Sequence, residues 1–300
     1  MADQKDLDYT YSLIDKIFRF SFGEMGDFSG AMYNGDFSLS LEQAQRQKHQ
    51  FIAENLNIDK GTRVLDIGCG WGPFLGHVRA IGATGVGLTL SEKQLEACKK
   101  NGLDAHLKDY KTIEPDTFGS FDAVSCIGAF EAFCSREEWE AGVQDDVYND
   151  FFKVVSGVLP VGGRLYLQTM TFSKNMIDPK EIDINADKNS DAFMLALMER
   201  QFPGSWLPYS EDQINASARP FFKLVSSNSG RLDYIETQKQ WSHRWNDFSF
   251  RKYLLYISFI PSYLTNKDLR KRIRIFGVPA NKICFERELL DHYRLVYEKI

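Results

Sequence analysis

The residues with the clearest capacity for chemistry are three glycines at alternate positions, Gly68, Gly70 and Gly72, which follow an apolar segment. That segment, 63–67, has the continuous apolar pattern of a parallel strand buried on both faces, with Asp66 near its carboxyl end. Glycine lacks a Cβ, so the chain can turn sharply here and a ligand can approach the backbone closely. Such a ligand meets backbone N–H groups and the positive end of the following helix, which suits a carboxylate.

The spacing of these glycines distinguishes between cofactors. A dinucleotide site requires Gly-x-Gly-x-x-Gly and an acidic residue about twenty positions later for the ribose. Residues 68–72 instead read Gly-x-Gly-x-Gly, and the next strand-like segment, 84–90, ends without an acidic residue. This tighter loop fits S-adenosylmethionine, which has no pyrophosphate and presents an amino acid group, a ribose and an adenine. An ordinary strand-to-helix turn is the alternative.

The patterns around three further polar residues allow a place in a pocket. Glu131 follows the apolar segment 121–127, and open α/β sheets bind ligands at the carboxyl ends of their strands. Gln168 lies within the apolar pattern 163–170, which favours a place in a pocket. Tyr234 fits a pocket and a packed core about equally well. Three histidines lack partners at metal-ligand spacing and are expected to be structural or solvated: His77, His106 and His292.

Alternating strands and helices are expected to position these residues. The predicted strands are 62–67, 84–90, 103–107, 121–127 and 163–170. Three helices are predicted between them: one over 73–81, one that begins at Ser91, and one over 146–158. An earlier helix over 41–56 has Ser40 as its N-cap. This alternation predicts a parallel sheet with helices on both faces. We expect strands near 221–227 and 281–286 to complete the sheet, and an amphipathic helix over 286–299.

The composition is that of a globular protein. The chain has 300 residues, of which 43% are hydrophobic and 26% charged. A net charge of −5 argues against a nucleic acid partner. We find no apolar run of about eighteen residues and no signal peptide, so we expect a cytoplasmic protein. The cysteines are odd in number and scattered, which indicates reduced thiols: Cys69, Cys98, Cys126, Cys134 and Cys284.

Five motifs occur in the order found in the cyclopropane-fatty-acid synthase family, which includes the mycolic acid cyclopropane synthases. They are residues 68–72, 87–91, 127–131, 168–171 and 202–204. The chain resembles that family over most of residues 9–250, and linked motifs in order are more specific than any single one. The resemblance implies an α/β fold: a class I methyltransferase Rossmann-like, mostly parallel seven-stranded sheet with a helical lid over an acyl-chain pocket.

The resemblance also implies which residues bind S-adenosylmethionine. Thr89, Leu90 and Gln94 match the adenosine-facing segment of the family, and Phe28 and Ser29 match positions that close over the cofactor. Tyr110 stands where the family often has a tryptophan near the adenine. With the loop and the strand ends added, the expected cofactor residues are Phe28, Ser29, Asp66, Gly68, Gly70, Gly72, Thr89, Leu90, Gln94, Tyr110 and Ile127.

The catalytic site matches the family only in part. The family's synthases hold bicarbonate as a base through a cysteine main chain, a glutamate, a histidine and a tyrosine. Glu131 and Tyr234 match the glutamate and the tyrosine, but Gly30 stands at the cysteine position and Gln168 at the histidine position. Ala132 replaces a histidine that often follows the glutamate. Glutamine cannot accept a proton as imidazole does, so these differences put bicarbonate binding and ring closure in question.

We expect four regions along the chain. They are an N-terminal helical segment that covers the cofactor (1–60), an S-adenosylmethionine-binding core (61–172), a helical lid (173–220) and a C-terminal region that completes the sheet (221–300). Within the last region, the run 241–263 is apolar nearly all round a helix, which predicts burial or the wall of an acyl tunnel.

A basic segment follows that apolar run. It contains Lys267, Arg270, Lys271, Arg272 and Arg274. Positive charge beside an apolar helix suits an acyl carrier protein or a peripheral membrane surface. A solvated helix face is the alternative.

Together with the resemblance to this family, these patterns predict an S-adenosylmethionine-dependent methyltransferase that acts on an unsaturated acyl lipid or a similarly apolar substrate. An alkene is a poor nucleophile, so it must be held in line with the methyl donor while water is excluded. The altered base site favours methylation over cyclopropanation. Two alternatives stay open: an N- or C-methyltransferase of a small-molecule natural product, and a catalytically degenerate relative that binds cofactor or lipid.

Overall fold

A seven-stranded sheet organises the computed structural model, which describes residues 19–113, 118–247, 250–276 and 278–300. The strands are β1 (Arg63–Ile67), β2 (Thr84–Thr89), β3 (Asp104–Leu107), β4 (Ala123–Ile127), β5 (Arg164–Phe172), β6 (Phe222–Ser229) and β7 (Leu290–Lys299). Their spatial order is β3-β2-β1-β4-β5-β7-β6. Strands β1 to β5 run parallel, and β7 lies antiparallel between β5 and β6. This confirms the predicted class I methyltransferase Rossmann-like sheet. Residues 1–18 of the predicted N-terminal segment lie outside the described residues.

Helices flank this sheet and extend beyond it. Over the described residues they are α1 (Leu41–Asn55), α2 (Pro73–Ile81), α3 (Glu92–Lys100), α4 (Arg136–Glu140), α5 (Gln144–Val158), α6 (Asp191–Gln201), α7 (Glu211–Ala218), α8 (Arg231–Asn246), α9 (Phe250–Thr265), α10 (Lys267–Phe276) and α11 (Ala280–Glu286). Ser40 is the N-cap of α1, as predicted: its Oγ accepts from the Gln43 N–H, and the Gln43 side chain accepts from the Ser40 N–H. Such a cap stabilises a helix by about 1 kcal/mol.

The predictions for the last twenty residues were wrong. Residues 281–286 belong to helix α11 and not to a strand, because Ala280, Cys284 and Phe285 form one buried helical face. Residues 290–299 form β7 and not a helix. The charged residues and leucines of this segment favour a helix locally. Its backbone instead pairs with β5 on one side and β6 on the other, and this non-local pairing decides the structure.

Close packing between α2 and β2 sets the position of the glycine loop. A Cβ at Gly87 would lie 2.6 Å from Leu75 Cδ1 and 2.7 Å from Cys69 Sγ, so only glycine allows this approach. Helix α2 starts directly after the loop, with Pro73 in its first turn, where a missing N–H costs no hydrogen bond. The loop is therefore held between a buried strand and a helix that is packed against the sheet.

A second apolar core lies beside the end of β5. Helices α6 and α11 pack against each other there. The ring of Trp206 stacks on that of Trp139, with centroids 4.4 Å apart. The backbone N–H of Trp206 donates to Cys134 O at 2.8 Å. Trp206 and Phe172 also meet edge to face, with centroids 5.0 Å apart. These contacts hold the segment around Trp206, which follows helix α6, against the carboxyl end of β5.

The predicted burial of the apolar run 241–263 is wrong for helix α9. Helix α8 ends at Asn246 and α9 begins at Phe250. Six large apolar side chains of α9 are 47% to 68% exposed: Phe250, Tyr253, Leu254, Ile257, Ile260 and Leu264. Over the described ranges, no helix combines the length and the apolar character needed to cross a membrane.

Candidate active site

A cavity lies where β1, β2 and β4 end, and most of the predicted cofactor residues meet there. It is lined by Phe28, Ser29, Asp66, Gly68, Gly70, Thr89, Leu90, Gln94, Tyr110 and Ile127, among others. Gly72 is placed differently: it packs against Leu103, whose Cδ1 would lie 2.4 Å from a Cβ at this position. We call this space the cofactor cavity.

The backbone of the loop requires glycine. Gly68, Gly70 and Gly72 have φ values of 76°, 56° and 82°, in the left-handed region that other residues rarely adopt. A Cβ at Gly68 would lie 2.3 Å from the Cβ of Ala129, whereas a Cβ at Gly70 would meet no atom within 4 Å. Because α2 begins directly after the loop, its unpaired N–H groups and positive dipole end are available to an anionic group.

The predicted adenosine contacts form a hydrogen-bonded group at the end of β2. Thr89 Oγ1 donates to Gln94 Oε1 at 2.7 Å, and Ser91 N donates to Thr89 Oγ1 at 3.1 Å. Tyr110 is buried, with its ring centroid 4.5 Å from that of Phe133. Its Oη has no hydrogen-bond partner among the described residues. A buried, unpaired hydroxyl fits a site that is completed by a polar ligand such as an adenine.

Asp66 gives the cofactor cavity a buried carboxyl. Ser125 Oγ donates to Asp66 Oδ1 at 2.7 Å. Burial raises the pKa of Asp66 to about 7, although the hydrogen bond from Ser125 opposes this rise. A positively charged ligand favours the ionised carboxylate at such a site. The loop, the Tyr110 hydroxyl and Asp66 therefore fit S-adenosylmethionine, which presents a carboxylate, an adenine and positive charge.

A buried ionic group positions Ser29 at the cavity wall. Ser29 Oγ donates to Asp27 Oδ1 at 2.6 Å, and Lys48 Nζ donates to Asp27 Oδ2 at 2.7 Å. The Nε2 of His49 lies 3.0 Å from Asp27 Oδ2. Burial opposes ionisation of Asp27, but Lys48 and His49 outweigh it and hold the pKa of Asp27 well below its usual range. We call these four residues the Asp27 cluster.

Sequence reasoning missed the Asp27 cluster, although helix α1 carries a signal for it. Lys48 and His49 lie on the same buried face of this helix as Leu41 and Ile52. Lysine is almost never fully buried unless it is paired, so a lysine on an apolar helical face indicates a buried acidic partner. The identity of that partner, Asp27, could not be read from the helix itself.

A second cavity adjoins the first, and both are lined by Phe28, Ser29, Gly128 and Ala132. The other walls are mainly apolar: Met170, Phe172, Ile182, Leu195, Met198, Phe202, Trp206, Leu207 and Leu290. Glu131, Gln168 and Tyr234 also line this cavity, so the fold brings the three predicted catalytic residues together. We call it the acceptor cavity.

Glu131 places a carboxyl in the apolar cavity. It lies in the 3-10 helix Phe130–Ala132, directly after β4. Its Oε1 accepts from Met170 N at 2.8 Å, and its Oε2 is buried without a hydrogen-bond partner within the described residues. Burial raises the pKa of Glu131 to about 7, although the backbone N–H groups of Glu131 and Met170 oppose this. A positive charge in the cavity would favour the carboxylate form.

Gln168 connects β5 to the loop at Gly30. Its Oε1 accepts from Tyr166 Oη at 2.9 Å, and its Nε2 donates to Gly30 O at 3.0 Å. A Cβ at Gly30 would lie 2.4 Å from Cδ2 of Tyr234. The side chain of Tyr234 therefore occupies the space that a cysteine would need at position 30.

His292 was expected to be structural or solvated, but it lines the acceptor cavity. Its ring stacks on Tyr234, with centroids 5.0 Å apart and planes 15° from parallel. Its Nδ1 is buried and has no hydrogen-bond partner in the described ranges. Burial first, and then the charges of Arg294 and Lys48, lower the pKa of His292 well below its usual value. The imidazole is therefore neutral.

Of the five cysteines, Cys69 lines the cofactor cavity, whereas His77 and His106 line neither of the two cavities. All five cysteines are buried free thiols. The side chain of His106 is 44% exposed, and its Nε2 lies 3.0 Å from Asp104 Oδ1. The ring of His77 stacks on that of Phe74. Among the residues described, no group of three or more histidine, cysteine or acidic side chains is arranged to hold a metal ion.

Comparison with known proteins assigns the chain to a family. The sequence model described as mycolic acid cyclopropane synthetase matches residues 1–251. The chain belongs to this family. Cyclopropane mycolic acid synthase 3 of Mycobacterium tuberculosis is 27% identical over 240 residues, which cover 77% of this chain and 78% of that protein. The cyclopropane-fatty-acyl-phospholipid synthase of Escherichia coli is 32% identical over 211 residues, 68% of this chain and 47% of that protein.

Membership of the mycolic acid cyclopropane synthetase family identifies the chain as an S-adenosylmethionine-dependent methyltransferase. Solved structures agree with the fold. A mycolic acid cyclopropane synthase in complex with SAH and CTAB has a TM-score of 0.77 at 23% identity, and 99% of each chain is covered. Coclaurine N-methyltransferase, bound to N-methylheliamine and SAH, has a TM-score of 0.73 at 16% identity, over 97% of this chain and 82% of that one.

Proposed function

We propose that this methyltransferase transfers its methyl group to a carbon–carbon double bond of an unsaturated acyl lipid. The observation that carries the proposal is the acceptor cavity, whose apolar walls meet the cofactor cavity at Phe28, Ser29, Gly128 and Ala132. An acyl chain presents only apolar surface around its double bond, so it is bound by burial of that surface. The names of the curated relatives, which refer to mycolic acids and to fatty acyl phospholipids, support this substrate class.

Residues at the junction of the two cavities would align the reaction. Bound S-adenosylmethionine supplies an electrophilic methyl group. Phe28 is held between Phe22 and Trp241, with ring centroids 4.6 Å and 5.3 Å away, so its position at the junction is fixed. These rings exclude water while the double bond is held in line. Glu131, in its ionised form, would stabilise the positive charge that develops on the acceptor.

We also propose that the chain does not hold bicarbonate in the way that the family resemblance implies. The Gln168 amide already bonds to Tyr166 and Gly30, and Tyr234 fills the space beside Gly30. Turnover should therefore be the same in degassed, bicarbonate-free buffer and after bicarbonate is added. A rise in turnover with bicarbonate would contradict this part of the proposal.

The predicted division into four regions also remains a proposal, and the cavities support two of its parts. Ser29, from the 1–60 segment, lines both cavities, and Leu195 and Met198, from the 173–220 segment, line the acceptor cavity. We expect the first segment to cover the cofactor and the second to close over the acyl chain.

Helices α9 and α10 support docking at an anionic membrane surface. The six exposed apolar residues of α9 recur at three- and four-residue intervals, as on one face of an interfacial helix. In α10, Lys267, Lys271 and Arg274 are exposed, and Arg270 and Arg272 are partly exposed. These five positive side chains form a local basic cluster although the chain as a whole has a net charge of −5, and such a cluster complements anionic lipid headgroups.

The docking surface lies beside the acceptor cavity. Helix α10 packs against α6, whose Leu195 and Met198 line that cavity. Gln201, at the end of α6, also donates to the carbonyl oxygens of Ile275 and Val278. A bilayer bound at α9 and α10 would thus present its acyl chains close to the site.

Vesicle co-sedimentation tests this docking. We expect binding to phosphatidylglycerol vesicles that weakens with salt, and weaker binding to phosphatidylcholine vesicles. Ile257→Glu should reduce binding, whereas Val161→Glu is the matched control, because Val161 is 77% exposed and belongs to the turn between α5 and β5 and not to α9 or α10. Equal binding of both variants, or binding to an acyl carrier protein without binding to vesicles, would contradict docking at a membrane.

Transfer to nitrogen is the second candidate function. The ionised carboxyl of Glu131 would attract a protonated amine and take its proton, which frees the nitrogen lone pair for the methyl group. The fold is also similar to that of coclaurine N-methyltransferase. One assay separates the two functions: the protein is incubated with methyl-labelled S-adenosylmethionine and either unsaturated phospholipids or an amine panel. NMR and mass spectrometry then locate the label. Label on an acyl carbon supports the proposal, label on nitrogen overturns it, and binding of the donor without any transfer would identify a degenerate relative.

A further inference from the structure

The acceptor cavity contains an imidazole, that of His292, as well as the carboxyl of Glu131. The side chain of His292 is buried, and its Nδ1 has no hydrogen-bond partner over the described ranges. An unpaired polar atom costs free energy in an apolar site, so its retention calls for an explanation. The stack on Tyr234 does not satisfy a ring nitrogen.

Strand pairing and two glycines determine where this imidazole lies. In the antiparallel register of β5 and β7, His292 is opposite Met170, the residue whose N–H binds Glu131. A Cβ at Gly30 would lie 3.2 Å from His292 Cε1, and a Cβ at Gly230 would lie 2.5 Å from His292 Nδ1. The ring therefore fits between two positions without side chains. Gly30 directly follows Phe28 and Ser29, so the ring is close to the junction where the methyl group would be transferred.

We propose that His292 is the base that accepts the proton released after methyl transfer. The proposal rests on the function proposed above. The π electrons of the double bond form a bond to the methyl carbon, the carbon–sulfur bond breaks, and a carbocation remains on the acceptor. A C–H bond of the added methyl group then breaks. Its electron pair closes a ring, or forms a methylene double bond after a hydride shift, and its proton passes to an imidazole nitrogen of His292.

The electrostatic surroundings suit this role. A neutral imidazole has a lone pair for the proton. Proton loss neutralises the carbocation by closing a ring or forming a double bond, and this is so favourable that even a weak base removes the proton. The imidazolium that forms is destabilised by burial and by nearby positive charge, so it returns its proton to water readily. Glu131, in contrast, binds Met170 and acts through its charge. Charged and titratable groups near the ring include Arg294 and Lys48, the stacked Tyr234, and Asp291, whose Oδ1 accepts from the His292 backbone N–H at 2.7 Å. Glu131 and Glu199 line the same cavity, and Arg294 forms an ion pair with Asp233 at 2.9 Å.

The test compares His292→Gln and His292→Ala with the full-length wild-type protein on unsaturated phospholipid vesicles. Both variants should bind S-adenosylmethionine normally by calorimetry but form product at least about tenfold more slowly, in line with the loss of a general base. The carbocation should now be trapped by water, so a methyl-branched alcohol should appear in the lipid. Added imidazole should restore the original product to His292→Ala. His106→Gln is the matched control, because His106 is exposed, and it should leave turnover unchanged.

A second measurement does not depend on turnover. In the wild-type protein the His292 Cε1–H resonance should show no titration between about pH 6 and about pH 8, as expected for an imidazole that stays neutral. Three results would overturn the role of His292 but not the proposed function. They are titration of this resonance in that pH range, formation of the wild-type product at the wild-type rate by His292→Gln, and a loss of rate without either the alcohol product or rescue by imidazole. Absence of acyl methylation by the wild-type protein would overturn the proposed function, and the role of His292 with it.

Discussion

Replacing Glu131 with glutamine should stabilise the protein above neutral pH and slow methyl transfer. Burial raises the pKa of Glu131 from an ordinary value of 4.5 to about 7. Below pH 4.5 the carboxyl is protonated in both the folded and the unfolded protein, and its titration has no effect on stability. As the pH rises from 4.5 to 7, the unfolded chain ionises first, so the folded state is progressively destabilised. Glutamine removes this penalty and can still accept from Met170.

The two pKa values give the size of the effect. They differ by about 2.5, and each pKa unit corresponds to about 1.36 kcal/mol, so the penalty approaches about 3 kcal/mol at pH 8 and is only about 1 kcal/mol at pH 5. Glu131→Gln should therefore gain about 2 kcal/mol more, relative to the wild type, at pH 8 than at pH 5. Loss of the carboxylate charge should lower turnover by a factor on the order of 100.

Urea denaturation at the two pH values measures this difference, and labelled methyl transfer at pH 8 measures the activity. Glu96, exposed on α3, provides the matched control, since Glu96→Gln should change neither quantity appreciably. The reasoning would be refuted if the stability difference between Glu131→Gln and the wild type were the same at pH 5 and pH 8. It would also fail if the variant kept wild-type turnover, because the charge would then have no part in the reaction.

Three other predictions concern the supports of the site. Gly68→Ala should abolish S-adenosylmethionine binding in calorimetry, because the new Cβ has no space. Gly76→Ala is the control: a Cβ there meets nothing within 4 Å, so this variant should bind normally and gain about 0.5 to 1 kcal/mol of stability. Equal binding by both variants would contradict the role of the glycine loop in cofactor binding. Lys48→Met should cost about 3 kcal/mol in urea denaturation, because Asp27 keeps a buried charge without its lysine, and an unchanged midpoint would contradict that. Gly30→Ala should slow acyl methylation without weakening cofactor binding, because the new Cβ would displace the Tyr234 ring. Normal turnover would contradict this and show that the Tyr234 ring can move aside without loss of function.

The part of the fold that follows from local pattern was predictable. The segment 63–72 has an apolar strand and three glycines, and the structure shows both the buried strand and the left-handed loop. Strand β7 was not predictable in this way, because its pairing with β5 and β6 outweighs a local preference for helix. Patterns of neighbouring residues report neighbouring contacts, and β7 forms its contacts with strands far away in the sequence.

The candidate site divides in the same manner. Glu131 was found because it follows an apolar strand, which is a local signal. The hydrogen bond from Gln168 to Gly30 joins residues that are 138 positions apart, so no pattern in the sequence indicates that the Gln168 side-chain amide already has a hydrogen-bond partner. His292 was expected to be structural or solvated, because the spacing of the histidines along the sequence was the only signal for them. Its nearness to Glu131 arises through Met170, across the β5 and β7 register.

The position of β7 inside the sheet has a consequence for synthesis of the protein. The residues that line the cofactor cavity all fall between Gly26 and Phe133, whereas the acceptor cavity also needs Leu290 and His292 from β7. A chain made from its N-terminus can therefore assemble the strands around the glycine loop long before the acceptor cavity is complete. The strands around the glycine loop would form first and the acceptor cavity last, and Phe28 would be held at the junction of the two cavities only after Trp241 has been made.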